Sequence, residues 1–302
     1  MTSLRRPAAR RGGPLGGEGR WALLFLAPTI LGLTVLSAGP ILATLGISLT
    51  KWDLLRPPQF VGFDNFVQLA HDDRFLKALR NTIFYTVVSV PLGLTVSLGL
   101  ALALNQTIRG IAWIRTAYFL PVVTSTIAIA LVWQWIYAPD AGLLNQVLGL
   151  VGIPGRKWLI DPTLAMPSIV IMSVWQGLGT NIIIFLAGLQ AIPSELLDAA
   201  SVDGAGRWAR FRNVVLPLLT PSMFFTGVLS LIGSFQVFDQ IYVLSRPRPT
   251  DATITVVYFI YENGFKFFKM GYASAASWIL FIIVAVFTAV YFRSQGRWVH
   301  YQ

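Results

Sequence analysis

The chain has 302 residues, of which 55% are hydrophobic and only 12% are charged, and its formal net charge at pH 7 is +10. Soluble domains carry roughly 25% charged residues, so the composition argues against a soluble all-α protein, whose helices would also show polar faces. There is no cysteine, and neither His71 nor His300 has a partner at metal-ligand spacing, which excludes thiol chemistry and predicts no metal or cofactor bound by this chain.

Six segments of more than 20 residues contain no Asp, Glu, Lys or Arg. A membrane-spanning helix needs about 20 apolar residues, so we predict an all-α integral membrane protein with six transmembrane helices. The first span is long enough to be tilted, or to break at Gly39-Pro40. The predicted spans are Leu23–Ser48, Thr82–Leu104, Ala117–Tyr137, Pro167–Leu186, Pro217–Val237 and Ala273–Tyr291.

The segments outside the spans set the domain boundaries and the orientation. Residues 1–21 are rich in Pro, Gly and Arg and predict a disordered cytoplasmic tail, followed by a membrane domain over 22–292 and a second tail over 293–302. The apolar stretch after the first tail is too long for a cleaved signal peptide. Basic residues flank spans on the cytoplasmic side, which explains the net charge better than nucleic-acid binding does.

The total count of basic residues hardly decides the orientation. With both termini in the cytoplasm, the inner segments hold 12 of the 23 Lys and Arg residues. The basic cluster before the first span and the acid-free pair Arg109 and Arg115 favour cytoplasmic termini in the cell membrane. Three outer loops, 49–80, 138–165 and 238–271, are then large enough to contact a soluble partner. Residues 60–69 of the first are amphipathic and predict a segment lying on the membrane surface.

The spans exclude several kinds of transport. Proton- and sodium-driven transporters place ionisable residues inside their spans, and none of the six spans here contains one. The chain also lacks the GxxxxGK[ST] phosphate loop, so any ATP-driven transport requires ATP hydrolysis by another subunit. This chain is therefore predicted not to be an enzyme.

Neutral polar residues in the fourth and fifth spans predict a substrate path. Ser173, Gln176, Gly177, Thr180 and Asn181 share one helical face, and Trp175 is adjacent. Hydroxyl and amide groups beside aromatic rings suit a neutral polyhydroxylated ligand. Helix packing is the alternative, because small and polar residues also join membrane helices. The candidate path residues are Trp175, Gln176, Thr180, Asn181, Ser230, Ser234 and Gln236.

The loop over residues 187–215 predicts a helix, a turn and a second helix. Ser194 is a potential cap for a short helix over about 194–202, and Glu195 favours its positive end. Asp203-Gly204-Ala205-Gly206 predicts a turn in which glycine adopts positive φ. A second helix carrying Arg207 then leads into the next span. The mixed charges fit either a docking surface for a partner or an ordinary connecting loop.

This loop resembles the cytoplasmic EAA loop of permease subunits of binding-protein-dependent ABC importers. The residues that carry the pattern are Asp198-Ala199-Ala200, Asp203-Gly204-Ala205 and Leu216-Pro217, with aspartate in place of glutamate; Glu195 could substitute for the glutamate. The carbohydrate-uptake branch is resembled further by FVGFDNF (60–66), NTIFYTVVSVPLGL (81–94), FLPVVTS (119–125), PDAGLLN (139–145), FDQIYVLS (238–245) and MGYASAASW (270–278). The chain departs from the branch at Arg246-Pro247-Arg248-Pro249, where Gly-Gly-Pro is usual.

The resemblance implies a type I ABC importer permease fold and a set of partners. These are a second homologous permease, an ATPase dimer that binds ATP and Mg²⁺, an extracytoplasmic solute-binding protein and a sugar. It also implies that Asp198, or Glu195 in its place, contacts the ATPase. The other residues of the coupling loop are Ala199, Ala200, Asp203, Gly204, Ala205, Arg207, Leu216 and Pro217. A permease for another solute, such as a glycerophosphodiester, and a membrane protein unrelated to transport are the alternatives.

Overall fold

The computed structural model describes residues 17–106, 110–245 and 251–299. These residues form thirteen α-helices, four π-helical turns and one two-stranded hairpin. The helices are α1 Gly17–Leu33, α2 Gly39–Ser48, α3 Asp64–Ala70, α4 Asp73–Leu104, α5 Ile111–Val123, α6 Thr126–Ile136, α7 Leu143–Leu150, α8 Ala165–Gln190, α9 Ser194–Val202, α10 Arg207–Arg210, α11 Leu216–Phe235, α12 Val256–Tyr261 and α13 Met270–Trp298. The π-turns are Thr34–Ala38, Phe211–Val215, Ile241–Ser245 and Glu262–Lys266, and the strands are β1 Thr50–Lys51 and β2 Gln59–Phe60.

The first predicted span is one continuous helix that does not break at Gly39-Pro40. Pro40 has no N–H, and its ring would clash with the carbonyl of the residue four positions earlier in a regular α-helix. The chain widens there into the Thr34–Ala38 π-turn, and the Gly39 N–H bonds to the Thr34 carbonyl, five residues back. A π-bulge therefore absorbs the proline while the helix continues to Ser48.

The long helices α4, α8 and α11 form the centre of the bundle. Glycines set how closely α8 approaches its neighbours. A Cβ at Gly179 would overlap the Tyr118 carbonyl of α5, and one at Gly188 would overlap Ser222 of α11. The small-residue contacts typical of membrane helices therefore operate on two sides of α8.

The third predicted span, Ala117–Tyr137, is not one straight helix. The chain forms α5 and α6, which meet at an angle of 103° across Thr124 and Ser125. Both residues have extended ψ angles, 143° and 129° respectively. Hydroxylated residues bond locally to the backbone and are weak helix formers, and Pro121 lies one turn earlier. A count of apolar residues cannot detect such a break. Five helices of the described chain are long and apolar enough to span a membrane, or six elements if the bent pair forms one span.

The other predicted spans correspond to single helices with different ends. The second begins at Asp73 rather than Thr82, because the Asp72 carboxylate accepts hydrogen bonds from the N–H groups of Arg74 and Phe75. Helix α1 begins at Gly17, inside the predicted first tail, and α13 continues to Trp298, inside the second. Arg246-Pro247-Arg248-Pro249 lies outside the described residues.

The bundle has two ends that differ in structure. The hairpin end carries β1, β2 and α3, and the α9 end carries residues 191–206. At the hairpin end, the Asn65 amide donates to the carbonyls of Ser48 (2.8 Å) and Thr50 (2.9 Å). The Met270 N–H donates to the Trp52 carbonyl at 2.9 Å. These bonds join the end of α2 and the segment after it to α3 and to the start of α13.

Candidate functional site: a polar cavity and a helical loop

A cavity of about 520 Å³ lies between α4, α6, α8, α11 and the segment that follows α11. We call it the central cavity. Three glycines, Gly93, Gly177 and Gly233, are among the residues that line it. Its polar lining consists of Tyr85, Ser89, Thr126, Ser173, Thr180, Asn181, Ser230, Ser234, Gln236, Asp239 and Gln240. Hydroxyl and amide groups therefore predominate, and Asp239 is the one charged residue among those that line it.

One face of α8 supplies much of this lining. Ser173, Gly177, Thr180 and Asn181 all line the central cavity. At about 100° per residue these positions span a single sector of the helix, which is the face that the sequence predicts. Across the cavity, the Asn181 side chain comes within 4.0 Å of the position that a Cβ on Gly93 of α4 would occupy.

Gln176 and Trp175 are not among the lining residues of the central cavity. Gln176 sits at the edge of the polar face, where its amide donates to the Thr126 hydroxyl at 3.0 Å and its Oε1 is buried without a partner. Trp175 packs edge-on against Trp133, with ring centroids 5.5 Å apart, and borders a small separate pocket next to α5. Gln176 is therefore connected to the cavity only through its hydrogen bond to Thr126, which lines the cavity.

The polar stripe of α11 divides into two parts. Ser230, Ser234 and Gln236 line the central cavity, and the Ser234 hydroxyl also bonds to that of Thr86 at 3.0 Å. Gly227, one turn earlier, packs against the Tyr291 ring of α13. The part of the stripe around Gly227 therefore packs against a neighbouring helix, whereas the part from Ser230 onward borders the cavity.

Five polar lining residues, Tyr85, Ser89, Thr126, Asp239 and Gln240, were not identified from the sequence as site residues. Tyr85 and Ser89 are four residues apart on α4, a spacing that puts them on one face and was available as a signal. Thr126 faces the cavity because of the bend between α5 and α6, which the sequence pattern does not show. Asp239 and Gln240 belong to the short segment after α11 that lines the cavity, and the sequence gives no sign of this placement.

At the other end of the bundle, α9 ends in a Schellman motif. The Ala205 N–H bonds to the Ala200 carbonyl (2.9 Å), and the Gly204 N–H bonds to that of Ser201 (3.1 Å). This geometry places Gly204 in the left-handed region, with φ of +79°. The predicted helix, turn and glycine conformation are confirmed. The predicted Ser194 cap is wrong: the helix begins directly after Pro193, and no side chain caps it.

The α9 loop presents an unpaired, exposed surface. Glu195, Asp198, Asp203 and Arg207 are exposed, and none forms an ion pair with another described residue. Large apolar side chains are exposed among them: Val202 at 88% and Trp208 at 70%. Ala199 is also exposed, whereas Ala200, Ala205, Leu216 and Pro217 are half-buried. A mixture of free charges and exposed apolar groups is typical of a surface that binds another protein.

A bundle of apolar helices around a polar cavity, with an exposed helical loop at one end, is the architecture of a multi-pass membrane protein. The comparisons with known proteins specify the class. The profile of the family described as binding-protein-dependent transport system inner membrane component matches residues 93–298, and the chain belongs to this family.

Relatives match over nearly the whole chain. A probable ABC transporter permease, YesP of Bacillus subtilis, is 38% identical over 92% of this chain and 91% of its own length. The lactose transport system permease LacF of Rhizobium radiobacter is 36% identical, covering 89% and 92% respectively. The sn-glycerol-3-phosphate transport system permease UgpA of Yersinia pestis is 36% identical over 81% and 83%.

The fold also matches a solved structure. A chain of a bacterial alginate ABC transporter, solved in complex with a periplasmic protein bound to an alginate pentasaccharide, superimposes with a TM-score of 0.84. The match covers 93% of this chain and 96% of that one at 24% sequence identity, so it establishes the shared fold.

Proposed function

We propose that this protein is one permease subunit of an ATP-driven importer and forms half of the translocation path for a neutral sugar. The observation that carries the proposal is the lining of the central cavity. Apart from the Asp239 carboxylate, its polar side chains carry hydroxyls and amides, and no Lys or Arg is among the lining residues. Sugar hydroxyls require mixed donors and acceptors, and an anionic solute would require a cation in its path.

The names of the relatives support a sugar and supply the competing substrate. LacF is a lactose permease and AmyD is described as a probable permease for starch degradation products, whereas UgpA is named for sn-glycerol-3-phosphate. A phosphate ester carries negative charge, and Asp239 at the cavity would repel it. We therefore favour a neutral sugar over a glycerophosphodiester or a related anion.

The α9 loop is proposed to couple the path to ATP hydrolysis. In this proposal the loop faces the cytoplasm, both termini lie there, and α9 docks on an ATPase subunit of a dimer that holds ATP and Mg²⁺. Asp198 and Glu195 offer free carboxylates to basic residues of that subunit, and Arg207 offers a free guanidinium to its acidic residues. A second homologous permease completes the path, and a solute-binding protein delivers the sugar at the hairpin end.

The uptake of labelled solutes by cells that express the complete transport system tests the substrate class. We expect accumulation of neutral sugars and none of glycerophosphodiesters. The variant Asn181→Ala should reduce sugar uptake about three- to tenfold, because it removes one amide from the cavity lining. The control is Thr95→Ala, which alters an exposed hydroxyl of α4 that bonds to the Pro91 carbonyl of its own helix.

The comparison of solutes tests the substrate class, and the Asn181→Ala variant tests the assignment of the site. Uptake of an anionic phosphodiester in preference to any sugar would overturn the proposed substrate. Equal sugar uptake by wild type and Asn181→Ala would instead assign the polar face of α8 to helix packing.

A further inference from the structure

A second cavity, of about 640 Å³, lies at the hairpin end between the hairpin, α3 and the start of α13. We call it the hairpin cavity. It shares no lining residue with the central cavity, so it is a separate site. Part of its wall comes from residues 51–53, directly after the first span, and from residues 267–272, where the last span begins. The hairpin cavity therefore lies at the level where these helices leave the membrane.

The hairpin cavity carries basic groups without internal partners. Lys51, Arg56 and Lys269 line it, are exposed, and form no ion pair with any described residue. Of the two carboxylates in the lining, Asp53 is engaged by its own loop. It accepts hydrogen bonds from the backbone N–H groups of Arg56 (2.9 Å) and Leu55 (3.1 Å), which hold its pKa below the usual range. The lining thus carries three basic side chains against two carboxylates, Asp53 and Asp64, and presents a net positive charge to an anion.

The surroundings of the hairpin cavity are apolar to an unusual degree for a surface in water. Leu55 is 88% exposed, Phe60 78% and Phe63 71%, and each lies within two residues in sequence of a residue that lines the cavity. Phe267 and Phe268 in the lining are also exposed. Aromatic and basic residues concentrate where a protein crosses the boundary between headgroups and acyl chains. The apolar side chains suit that boundary better than they suit bulk water.

Two residues hold strained backbone conformations: Phe268, which lines the cavity, and Leu54, which follows the lining residue Asp53. Phe268 has φ of +54° and Leu54 has φ of +65°. Bulky residues rarely adopt positive φ, and such strain persists only where the surrounding structure enforces it, commonly at binding sites. At Phe268 the enforcing bonds are the Phe267 N–H to the Glu262 carbonyl (2.9 Å) and the Lys269 N–H to the Asn263 carbonyl (2.7 Å). The strain holds an aromatic ring and an adjacent lysine at the same cavity.

We propose that the hairpin cavity binds the phosphate headgroup of an anionic phospholipid from the surrounding leaflet. The free basic groups bind the phosphate, and the exposed aromatic and leucine side chains contact the glycerol and the first part of the acyl chains. The bound lipid would bridge the ends of the first and last spans. This inference concerns a different cavity from the proposed sugar path and does not depend on the nature of the transported solute.

Native mass spectrometry of the assembled transport complex, released from nanodiscs of phosphatidylcholine with one-fifth phosphatidylglycerol, tests the proposal. Wild type should retain phosphatidylglycerol in preference to phosphatidylcholine. The double variant Arg56→Gln/Lys269→Gln should reduce this preference about tenfold, because each basic group at an anionic surface contributes to binding. The matched control, Arg156→Gln/Lys157→Gln, removes the same charges from an exposed segment outside the cavity and should retain the preference.

Other outcomes would overturn the proposal. Equal lipid retention by wild type and the cavity variant would exclude a headgroup site. Displacement of the lipid by millimolar inorganic phosphate would indicate a site for free anions. If the cavity variant instead lost affinity for the solute-binding protein in nanodiscs of pure phosphatidylcholine, with lipid retention unchanged, the cavity would be a protein-docking surface.

Discussion

Gly204, in the turn after α9, provides the most direct test of the coupling loop. Its φ of +79° lies in the left-handed region, and a Cβ added to it would have no atom within 4 Å. A substitution therefore introduces no clash with the rest of the protein, and its whole effect comes from backbone strain. Left-handed geometry costs a residue other than glycine about 1–2 kcal/mol, and a β-branched residue more.

That cost applies directly to the Schellman motif. A strain of about 1–2 kcal/mol lowers the population of the native turn roughly 5- to 30-fold relative to its alternatives. The loss breaks the bond from the Ala205 N–H to the Ala200 carbonyl and allows the end of α9 to unwind. We expect Gly204→Val to remain in the membrane but to reduce uptake at least tenfold and to weaken co-purification with the ATPase. Gly204→Asn should be intermediate, because asparagine tolerates this conformation better.

The control for Gly204→Val is a substitution two residues later. Gly206 has φ of −64° and ψ of 170°, an extended conformation that any residue adopts, and space for a Cβ. Threonine has the shape of valine and is accepted at the start of a helix, so Gly206→Thr should transport normally. ATPase association and uptake are measured for each variant in the same membranes. Normal uptake by Gly204→Val, or an equal loss in both variants, would refute the reasoning.

Three further variants probe the bundle itself. Gly179→Ala should lower the melting temperature of the purified protein by about 3–8 °C, because its Cβ would overlap the backbone of α5. The control is Gly177→Ala on the same helix, which has free space for a Cβ and should change the melting temperature little. Arg74→Gln breaks ion pairs to Asp251 (2.9 Å) and Glu262 (2.5 Å) beside α12 and should raise amide exchange in that region about fivefold, a modest effect because the pairs are partly exposed. Its control is Arg80→Gln, because the exposed Arg80 forms no ion pair with another described residue, and equal exchange in both variants would contradict this role. Gln176→Ala should leave uptake within about twofold of wild type, since it loses one hydrogen bond but also removes a buried unpaired oxygen; a larger loss would place its side chain in the path.

Local sequence signals predicted the features that depend on local chemistry. The α9 helix and its glycine turn follow from short-range rules, namely an acidic residue at the positive end of the helix and a left-handed glycine after its other end. The polar face of α8 follows from helical periodicity. Each of these features depends on residues that lie close together in the sequence, so a local sequence pattern is enough to predict it.

Features that depend on how helices bend and on how they lie relative to one another could not be predicted from local sequence patterns. The apolar residues of α5 and α6 satisfy the length of a span whether the segment is straight or bent by 103°. Gln176 and Asn181 are both amide residues on the polar face of α8. Only the position of α6 determines that Gln176 bonds to Thr126 whereas Asn181 lines the cavity. The hairpin cavity joins residues about 215 positions apart, a proximity that no local pattern records.

The packing of α2 against α13 has a consequence for how the chain is made. The carbonyl of Trp52 receives its hydrogen bond from Met270, and Gly271 fits closely against Thr50, so the partners of this region are synthesised last. At about 5–20 residues per second, the ribosome takes roughly 10–45 seconds to extend the chain from the end of α2 to the start of α13. During that interval the first helix resides in the bilayer with its contact surface covered by lipid or by an insertion factor. Closure of the bundle is thus a late step of biogenesis, and truncation before residue 270 would leave the first span without its neighbour.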